Sequence, residues 1–204
     1  MLLQELLVGY KLVLASGSPR RKELLGGLNI PFEVWPTEHD DESFPSDMDV
    51  NMIPQYLARK KSLPFTSKLG SSTILITSDT IVVCNGLVLG KPADIAEAKG
   101  MLKLLSGNMH TVVTGVCISS GSRSTTFQSS TNVYFRNLST DEIDYYIEHY
   151  SPLDKAGAYG IQEWIGYVGI ERIEGSYFNV MGLPVQRLYV ELASFLQNNN
   201  LSHD

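Results

Sequence analysis

Cysteine is scarce in this chain, with only Cys84 and Cys117 among 204 residues. Both thiols fall in apolar, strand-like runs, and neither belongs to a CxxC pair. The absence of such a pair argues against the paired-thiol motifs of metal and redox sites. We expect two buried, reduced thiols, as is usual in a cytoplasmic protein.

A basic excess and long apolar runs are also lacking. The net charge is −6, which argues against broad nucleic-acid binding but allows a local basic pocket for a small anion. No run of about 18 apolar residues predicts a transmembrane helix. The first ten residues do not resemble a signal peptide, because no positive segment precedes the leucines and Glu5 interrupts them. We therefore expect a cytoplasmic protein that binds neither nucleic acid nor membrane.

Three common catalytic signatures are missing. The four histidines do not have HExxH or other metal-ligand spacing. No G-x-S-x-G sequence occurs, which argues against Ser16 or Ser18 as a hydrolase nucleophile. Residues 86–92, GLVLGKP, are close to a phosphate-binding P-loop, but only three residues separate the glycines and Pro92 follows the lysine. The sequence therefore excludes a P-loop.

Strand and helix patterns are mixed along the chain. Residues 11–15 predict a short buried strand, and Asn85-Gly86 predicts a hairpin between two apolar runs. Helical patterns cover 93–107 and 139–150, and the second begins with a Ser/Thr cap and an acidic first turn. Because hairpins occur beside strand–helix units, we expect an α/β fold with a mixed sheet. The acidic loop 37–49 is the only stretch that resembles a hinge or lid.

A small, hydroxyl-rich turn separates the first strand from a helix in LVLASGSPRRKELL. Ser16, Ser18 and the free backbone N–H groups of the helix start would together form an anion site. Arg20 and Arg21 would add fork-shaped donors that suit phosphate. The alternative, an ordinary strand–helix turn with solvated arginines, is equally open.

Asp79 lies inside the apolar strand ITSDTIV, where an unpaired carboxylate is costly. Its partner could be a metal, a cation or a substrate, or the residue could instead bond to backbone at a strand bend. Lys61, at the end of the helical segment 50–62, and Lys91, after the hairpin, are candidate phosphate contacts, although isolated lysines more often face solvent. Together these residues indicate a polyanion held by basic groups, with carboxylates nearby for a divalent metal.

Asp154 and Lys155 begin the segment DKAGAYGIQ. Its small residues permit a close approach of the backbone to a ligand. A buried ion pair between these two residues is an equally open interpretation.

Six motifs occur in order along the chain: LASGSPRRKELL, SDTIVV, LGKP, LSGNMHTVVTGV, LDKAGAYGIQ and GSYFNVMGLPV. They resemble the Maf family of nucleotide pyrophosphatases from about residue 11 to 195, which makes 1–204 a single Maf-like domain. Within the family, AGAYGIQ is similar to the branch that acts on dTTP and UTP rather than on 7-methylated GTP. The resemblance implies a fold related to the inosine-triphosphate pyrophosphatases, with a long mixed sheet between two lobes and an active-site cleft.

The resemblance also implies roles for individual residues. Asp79 matches the acidic proton acceptor and metal-site residue of the family. A second, upstream acid falls at DDES, where Glu42 is the first choice and Asp41 the second. The positions tied to base specificity are Arg20, Thr80 and Gln162. The basic positions that contact phosphate are Arg21, Lys61 and Lys91.

Three features depart from the family pattern. Ser78 stands before Asp79 where many relatives have alanine, and ten residues precede Lys11. Trp164 follows Gln162-Glu163 where relatives often have glycine, and this change bears on base preference because it lies close to Gln162.

The expected activity is metal-dependent hydrolysis of dTTP and UTP to the nucleoside monophosphate and pyrophosphate, with Mg²⁺ or Mn²⁺. One alternative is the same chemistry on 7-methyl-GTP or another modified nucleotide. Another is a nucleotide-binding regulator of cell division with little turnover. A homodimer is left open.

Overall fold

The structure, a computed structural model, describes residues 1–37 and 42–200. Its strands are β1 Lys11–Ala15, β2 Glu33–Trp35, β3 Thr73–Cys84, β4 Leu87–Leu89, β5 Met109–Ser120, β6 Arg123–Phe135 and β7 Ile170–Glu174. Within the described residues these strands form one seven-stranded sheet in the order β2-β1-β3-β5-β6-β7, with β4 paired to β3.

The sheet is mixed, as the sequence predicts. β1 runs parallel to both β2 and β3, with Val13 opposite Leu75 in the second pair. β3 and β4 form an antiparallel hairpin with Val83 opposite Val88, and β6 and β7 are also antiparallel. The α/β class and the mixed sheet are confirmed.

The α-helices of the described chain are α1 Leu3–Leu6, α2 Pro19–Gly26, α3 Ile53–Ser62, α4 Ile95–Leu105, α5 Thr140–Tyr150, α6 Trp164–Gly169, α7 Tyr177–Met181 and α8 Val185–Asn200. Shorter 3₁₀ turns lie at Val50–Met52, Leu63–Lys68, Pro152–Asp154 and Ala156–Ala158. The helices predicted over 93–107 and 139–150 are confirmed as α4 and α5. None of the helices described here has the length and apolar character needed to span a membrane.

Contacts divide the chain into two compact units. The first consists of Met1–Asp79, Thr114–Ser129 and Gly182–Asp204. The second consists of Thr80–Val113 and Ser130–Met181.

In the first unit, α3 packs closely against the sheet. The Thr77 hydroxyl of β3 donates a hydrogen bond to the Ala58 carbonyl of α3 at 2.6 Å. On β5, a Cβ added at Gly115 would lie 2.2 Å from the Pro54 backbone, so only glycine allows α3 to approach this strand. The Thr77 bond fixes α3, which carries Lys61, relative to β3, which carries Asp79, and the close approach at Gly115 packs α3 against β5.

In the second unit, the local turn and cap signals form as expected. Asn85 and Gly86 both have positive φ, 50° and 79°, as the hairpin turn between β3 and β4 requires. Ser139 and Glu142 form a capping box at the start of α5. Cys84 of this unit and Cys117 of the first are both buried and unpaired, which confirms the expectation of two buried thiols.

Candidate active site

The turn between β1 and α2 is shaped by its own serines. The Ser16 hydroxyl oxygen accepts a hydrogen bond from the Ser18 backbone N–H at 3.2 Å. The Ser18 hydroxyl oxygen caps α2 by accepting from the Arg21 N–H at 3.4 Å. An N-cap of this kind satisfies one of the backbone donors at a helix start. Both serines therefore build the turn, and their contact with phosphate stays a prediction.

Arg21 is anchored to the backbone of a distant segment. Its Nε donates to the Gly182 carbonyl at 2.8 Å, and the buried Ser78 hydroxyl donates to the same carbonyl at 3.3 Å. The carbonyl thereby ties α2 to β3 immediately before Asp79. Sequence reasoning missed Gly182, and the only signal for it was its place in the motif GSYFNVMGLPV. Arg20 lies beside Arg21 in the first turn of α2.

Lys61 points into the protein because of its place on α3. It lies one helical turn after Leu57, which is 2% exposed, and residues four apart share a helix face. The Lys61 side chain is accordingly only 8% exposed. The expectation that an isolated lysine faces solvent is wrong here.

Lys61 joins the two predicted acidic residues. Its Nζ lies 2.6 Å from Asp79 Oδ1 and 3.3 Å from Glu42 Oε1. The Asp79 side chain is 6% exposed, whereas that of Glu42 is 33% exposed. Asp79 therefore has the cationic partner that its buried position demands. Asp41, the second choice for the upstream acid, lies outside the described residues.

The electrostatics of Asp79 reflect burial opposed by positive charge. Burial raises the pKa of the Asp79 carboxyl above its usual value of 3.8, and the neighbouring Glu42 carboxylate adds to the rise. The charges of Lys61 and Arg21 act in the opposite direction. Lys61 and Arg21, the two basic phosphate contacts proposed in this unit, therefore lie close enough to Asp79 to influence its proton.

The donor set suits a hard divalent cation only in part. In residues 1–37 and 42–200, no three histidine, cysteine, aspartate or glutamate side chains gather as a metal site would require. Mg²⁺ is, however, commonly bound by one or two carboxylates together with substrate phosphates. Asp79 and Glu42, which share the Lys61 ammonium, supply two such carboxylates. The residues present thus fit a metal that binds with the nucleotide.

A cavity of about 290 Å³ adjoins this cluster in the first unit. Lys61 forms part of its wall, together with Trp35, Pro36, Thr37, Pro64, Phe65 and Lys68. The Trp35 and Phe65 rings lie 5.8 Å apart at a tilt. Space bounded by aromatic rings and two ammonium groups is therefore available next to the partner of Asp79.

The other predicted site residues, Thr80, Lys91 and Gln162, belong to the second unit. Gly157 links the segments that carry them. Its N–H donates to the Gly90 carbonyl at 3.0 Å, directly before Lys91. A Cβ added at Gly157, where φ is +69°, would lie 3.0 Å from the Val82 side chain, two residues beyond Thr80. The segments that carry Thr80, Lys91 and Gln162 thus meet at Gly157.

The Gln162 side chain carries an unsatisfied polar atom. Its Oε1 is buried and has no hydrogen-bond partner among the residues that the structure describes. A buried acceptor without a donor is uncommon and calls for an explanation such as a ligand. Nearby, the buried Lys155 pairs with Asp154 at 2.7 Å and with Glu163 at 3.1 Å. The ion pair between Asp154 and Lys155 therefore forms, but only its lysine is buried, because the Asp154 side chain is 58% exposed.

Comparison with known proteins adds independent information. A family model described as Maf-like protein matches residues 11–195. A curated relative from Porphyromonas gingivalis, named dTTP/UTP pyrophosphatase, is 54% identical over 192 residues, covering 93% of this chain and 96% of its own. Relatives of the same name from Bacteroides fragilis and Christiangramia forsetii are 51% and 46% identical, over 90% and 97% of this chain and 95% and 100% of theirs. The similarity therefore spans almost the full length of this chain and of each relative.

Among solved structures, the chain is similar to a HAM1 protein from Coxiella burnetii at 16% sequence identity. That match covers 91% of this chain and 99% of the other, with a TM-score of 0.47.

Proposed function

The chain belongs to the Maf family, and we propose that it hydrolyses dTTP and UTP to the nucleoside monophosphate and pyrophosphate. Relatives that are 46% to 54% identical over nearly the whole chain carry this activity in their names. The structural observation that carries the proposal is the buried Asp79 carboxylate, held 2.6 Å from the Lys61 ammonium and within the influence of Arg21. A buried, paired carboxylate beside cations is suited to proton transfer near a polyanion.

In the proposed reaction, water attacks the α-phosphorus of the nucleotide. Asp79 accepts one proton from this water as its oxygen bonds to the α-phosphorus. The bond from the α-phosphorus to the bridging oxygen breaks, and pyrophosphate leaves with the electron pair of that bond. A carboxyl pKa raised by burial favours Asp79 as a base, because a stronger base accepts the proton more readily.

The cations of the site would hold the triphosphate. Lys61 and Arg21 place positive charge beside Asp79, and Lys91 is proposed as a further phosphate contact. The turn built by Ser16 and Ser18 would add backbone donors at the start of α2. A bound Mg²⁺ or Mn²⁺, held by Asp79 and Glu42, would offset phosphate charge.

Base recognition is assigned to Gln162, with Arg20 and Thr80. A glutamine amide both donates and accepts hydrogen bonds. It can therefore accept from N3–H and donate to O4 of uracil or thymine. The buried, unpartnered Oε1 of Gln162 is consistent with an acceptor that a base would satisfy.

The site of attack is tested by hydrolysis in ¹⁸O-labelled water across a panel of nucleoside triphosphates. UTP should give UMP that carries the label, together with unlabelled pyrophosphate. UDP and phosphate would contradict the proposal and indicate a γ-phosphatase. A kcat/KM highest for 7-methyl-GTP would contradict the substrate assignment while leaving the chemistry intact.

We also propose a cytoplasmic location, supported by the two buried, unpaired thiols, which are typical of reducing compartments. The homodimer stays a prediction, to be tested by light scattering of the purified protein.

A further inference from the structure

Glu163 joins the two ends of the segment that carries Gln162. Its Oε1 lies 3.1 Å from the Lys155 Nζ, at the start of that segment. Its Oε2 accepts a hydrogen bond from the Tyr146 hydroxyl of α5. The same hydroxyl oxygen accepts from the Gly160 N–H at 3.0 Å, in the middle of the segment. The Glu163 carboxylate thus connects to residue 155 directly and to residue 160 through Tyr146.

Tyr146 and Lys155 are buried and Glu163 is partly buried, so loss of their contacts would be costly. Tyr146 is fully buried, the Lys155 side chain is 8% exposed and that of Glu163 is 19% exposed. A buried ammonium or carboxylate is expensive to leave unpaired. The pKa of Tyr146 is raised, by burial first and then by its bond to Glu163, so the phenol stays protonated and remains a donor.

The Gln162 amide packs directly against this arrangement. A Cβ added at Gly160 would lie 2.8 Å from Gln162 Nε2 and 2.9 Å from Glu163 Cδ. The two side chains therefore lie together over one glycine, whose N–H is itself fixed by Tyr146. Movement of Glu163 would therefore free both the Gly160 backbone and the Gln162 side chain that packs over it.

We propose that Glu163 is a positioning residue for base selection: through Tyr146 and Lys155 it holds the segment 155–163 so that the Gln162 amide presents one fixed orientation to the nucleobase. The inference rests on the proposed function, because it assumes that Gln162 recognises the base. It adds the assignment of Glu163, Tyr146 and Lys155 as the group that makes this recognition selective. The acceptor Oε1 of Gln162, which has no partner in the described chain, is the atom that the arrangement keeps in place.

The test compares kcat/KM for UTP with kcat/KM for GTP in Glu163→Gln and Tyr146→Phe. Glu163→Gln removes the charge that pairs with Lys155, and Tyr146→Phe removes the hydroxyl that bonds to both Glu163 and Gly160. In each variant we expect the UTP-to-GTP ratio to fall about tenfold. In the double variant the ratio should fall by less than the product of the single effects, since the two residues act as one unit. A matched control is Glu142→Gln, which removes the Arg136–Glu142 ion pair of 2.6 Å in the same unit. This control should lose stability with an unchanged ratio.

Hydrogen exchange of the ligand-free proteins provides a readout independent of activity. Exchange across 155–163, including the Gly160 N–H, should accelerate in Glu163→Gln and Tyr146→Phe but not in Glu142→Gln. Accelerated exchange with an unchanged UTP-to-GTP ratio would overturn the proposal, because the group would then only stabilise the loop. Unchanged exchange would also overturn it. If the wild-type protein hydrolyses no nucleotide, the proposed function fails and base selection falls with it, while the exchange result still reports whether the segment is held.

Discussion

The Lys61 ammonium lies 2.6 Å from the Asp79 carboxylate, and both side chains are less than one-tenth exposed. This pair places a positive charge against the residue assigned to accept a proton. Lys61 also reaches Glu42 at 3.3 Å, so one cation serves both acids of the candidate metal site. Removal of that cation should therefore change the acid–base behaviour of the site as well as its affinity for phosphate.

Replacement of Lys61 by methionine should shift the pH dependence of activity. The Lys61 charge lowers the pKa of Asp79 against the rise caused by burial, so its loss leaves the effect of burial opposed by Arg21 but no longer by Lys61. Activity requires the ionised carboxylate, and the acidic limb of kcat/KM for UTP should move upward by about one pH unit or more.

Lys60→Met is the matched control for this shift. Lys60 is the preceding residue on α3 and donates instead to the carbonyl and hydroxyl oxygens of Ser43, at 2.9 and 2.8 Å. Its replacement should leave the acidic limb in place. An acidic limb that is identical in Lys61→Met and the wild type would mean that Asp79 is not the group that titrates.

Lys91→Ala should weaken nucleotide binding. Loss of a hydrogen bond to a charged group typically costs about 1.5–3 kcal/mol, or roughly 10- to 150-fold in affinity. Calorimetry with UTP in an Asp79→Asn background, in which turnover is slowed, measures this loss directly. Lys103→Ala, at an exposed position of α4, should bind like its parent, and binding within twofold for Lys91→Ala would place the triphosphate elsewhere.

Removal of divalent cations should abolish turnover. The site offers Asp79 and Glu42 as carboxylate ligands, and two carboxylates need phosphate oxygens to complete a magnesium site. Chelation with EDTA should therefore stop pyrophosphate release, and added Mg²⁺ or Mn²⁺ should restore it. Glu42→Gln should raise the Mg²⁺ concentration needed for half-maximal activity. Full activity in EDTA would show that no metal takes part.

Acid should destabilise the second unit through His110. This residue is buried, its Nε2 lies 2.7 Å from the Tyr159 hydroxyl, and burial lowers its pKa from 6.5 to about 4. The unfolded chain therefore takes up a proton below pH 6.5 that the folded chain does not accept until about pH 4. Stability is lost as the pH falls through this window, by about 2 kcal/mol between pH 6.5 and 5.

Urea unfolding at both pH values measures this difference. In His110→Gln the loss on acidification should be smaller by the same amount, whereas His149→Gln, at an exposed position of α5, should behave as the wild type. Equal losses in His110→Gln and the wild type would exclude His110 as the cause.

Local signals in the sequence predicted many of the elements correctly. Asn85-Gly86 specified its hairpin because both residues accept positive φ, and Ser139 specified the start of α5 through its hydroxyl cap. The segment 50–62 was less simple, since a 3₁₀ turn at Val50–Met52 precedes α3. The exact ends of helices depend on packing more than on the local sequence pattern.

Contacts between distant parts of the sequence could not be predicted in this way. The Gly182 carbonyl accepts from Arg21, 161 residues away, and no side-chain pattern marks a backbone acceptor. The inward direction of Lys61 likewise depends on how α3 packs on β3. The Asp154–Lys155 pair was one of two open interpretations, and Glu163 as a second partner of Lys155 was not predicted, because composition alone does not say which lysines are buried.

The most direct test is the rate of pyrophosphate release from UTP by Asp79→Asn compared with the wild type. Asparagine keeps an oxygen that can accept from Lys61, so the fold and nucleotide affinity should be retained. Turnover should fall by about 10²-fold or more, as expected for loss of a general base or metal ligand. Near-normal turnover in a correctly folded Asp79→Asn protein would remove Asp79 from the mechanism and contradict the central claim.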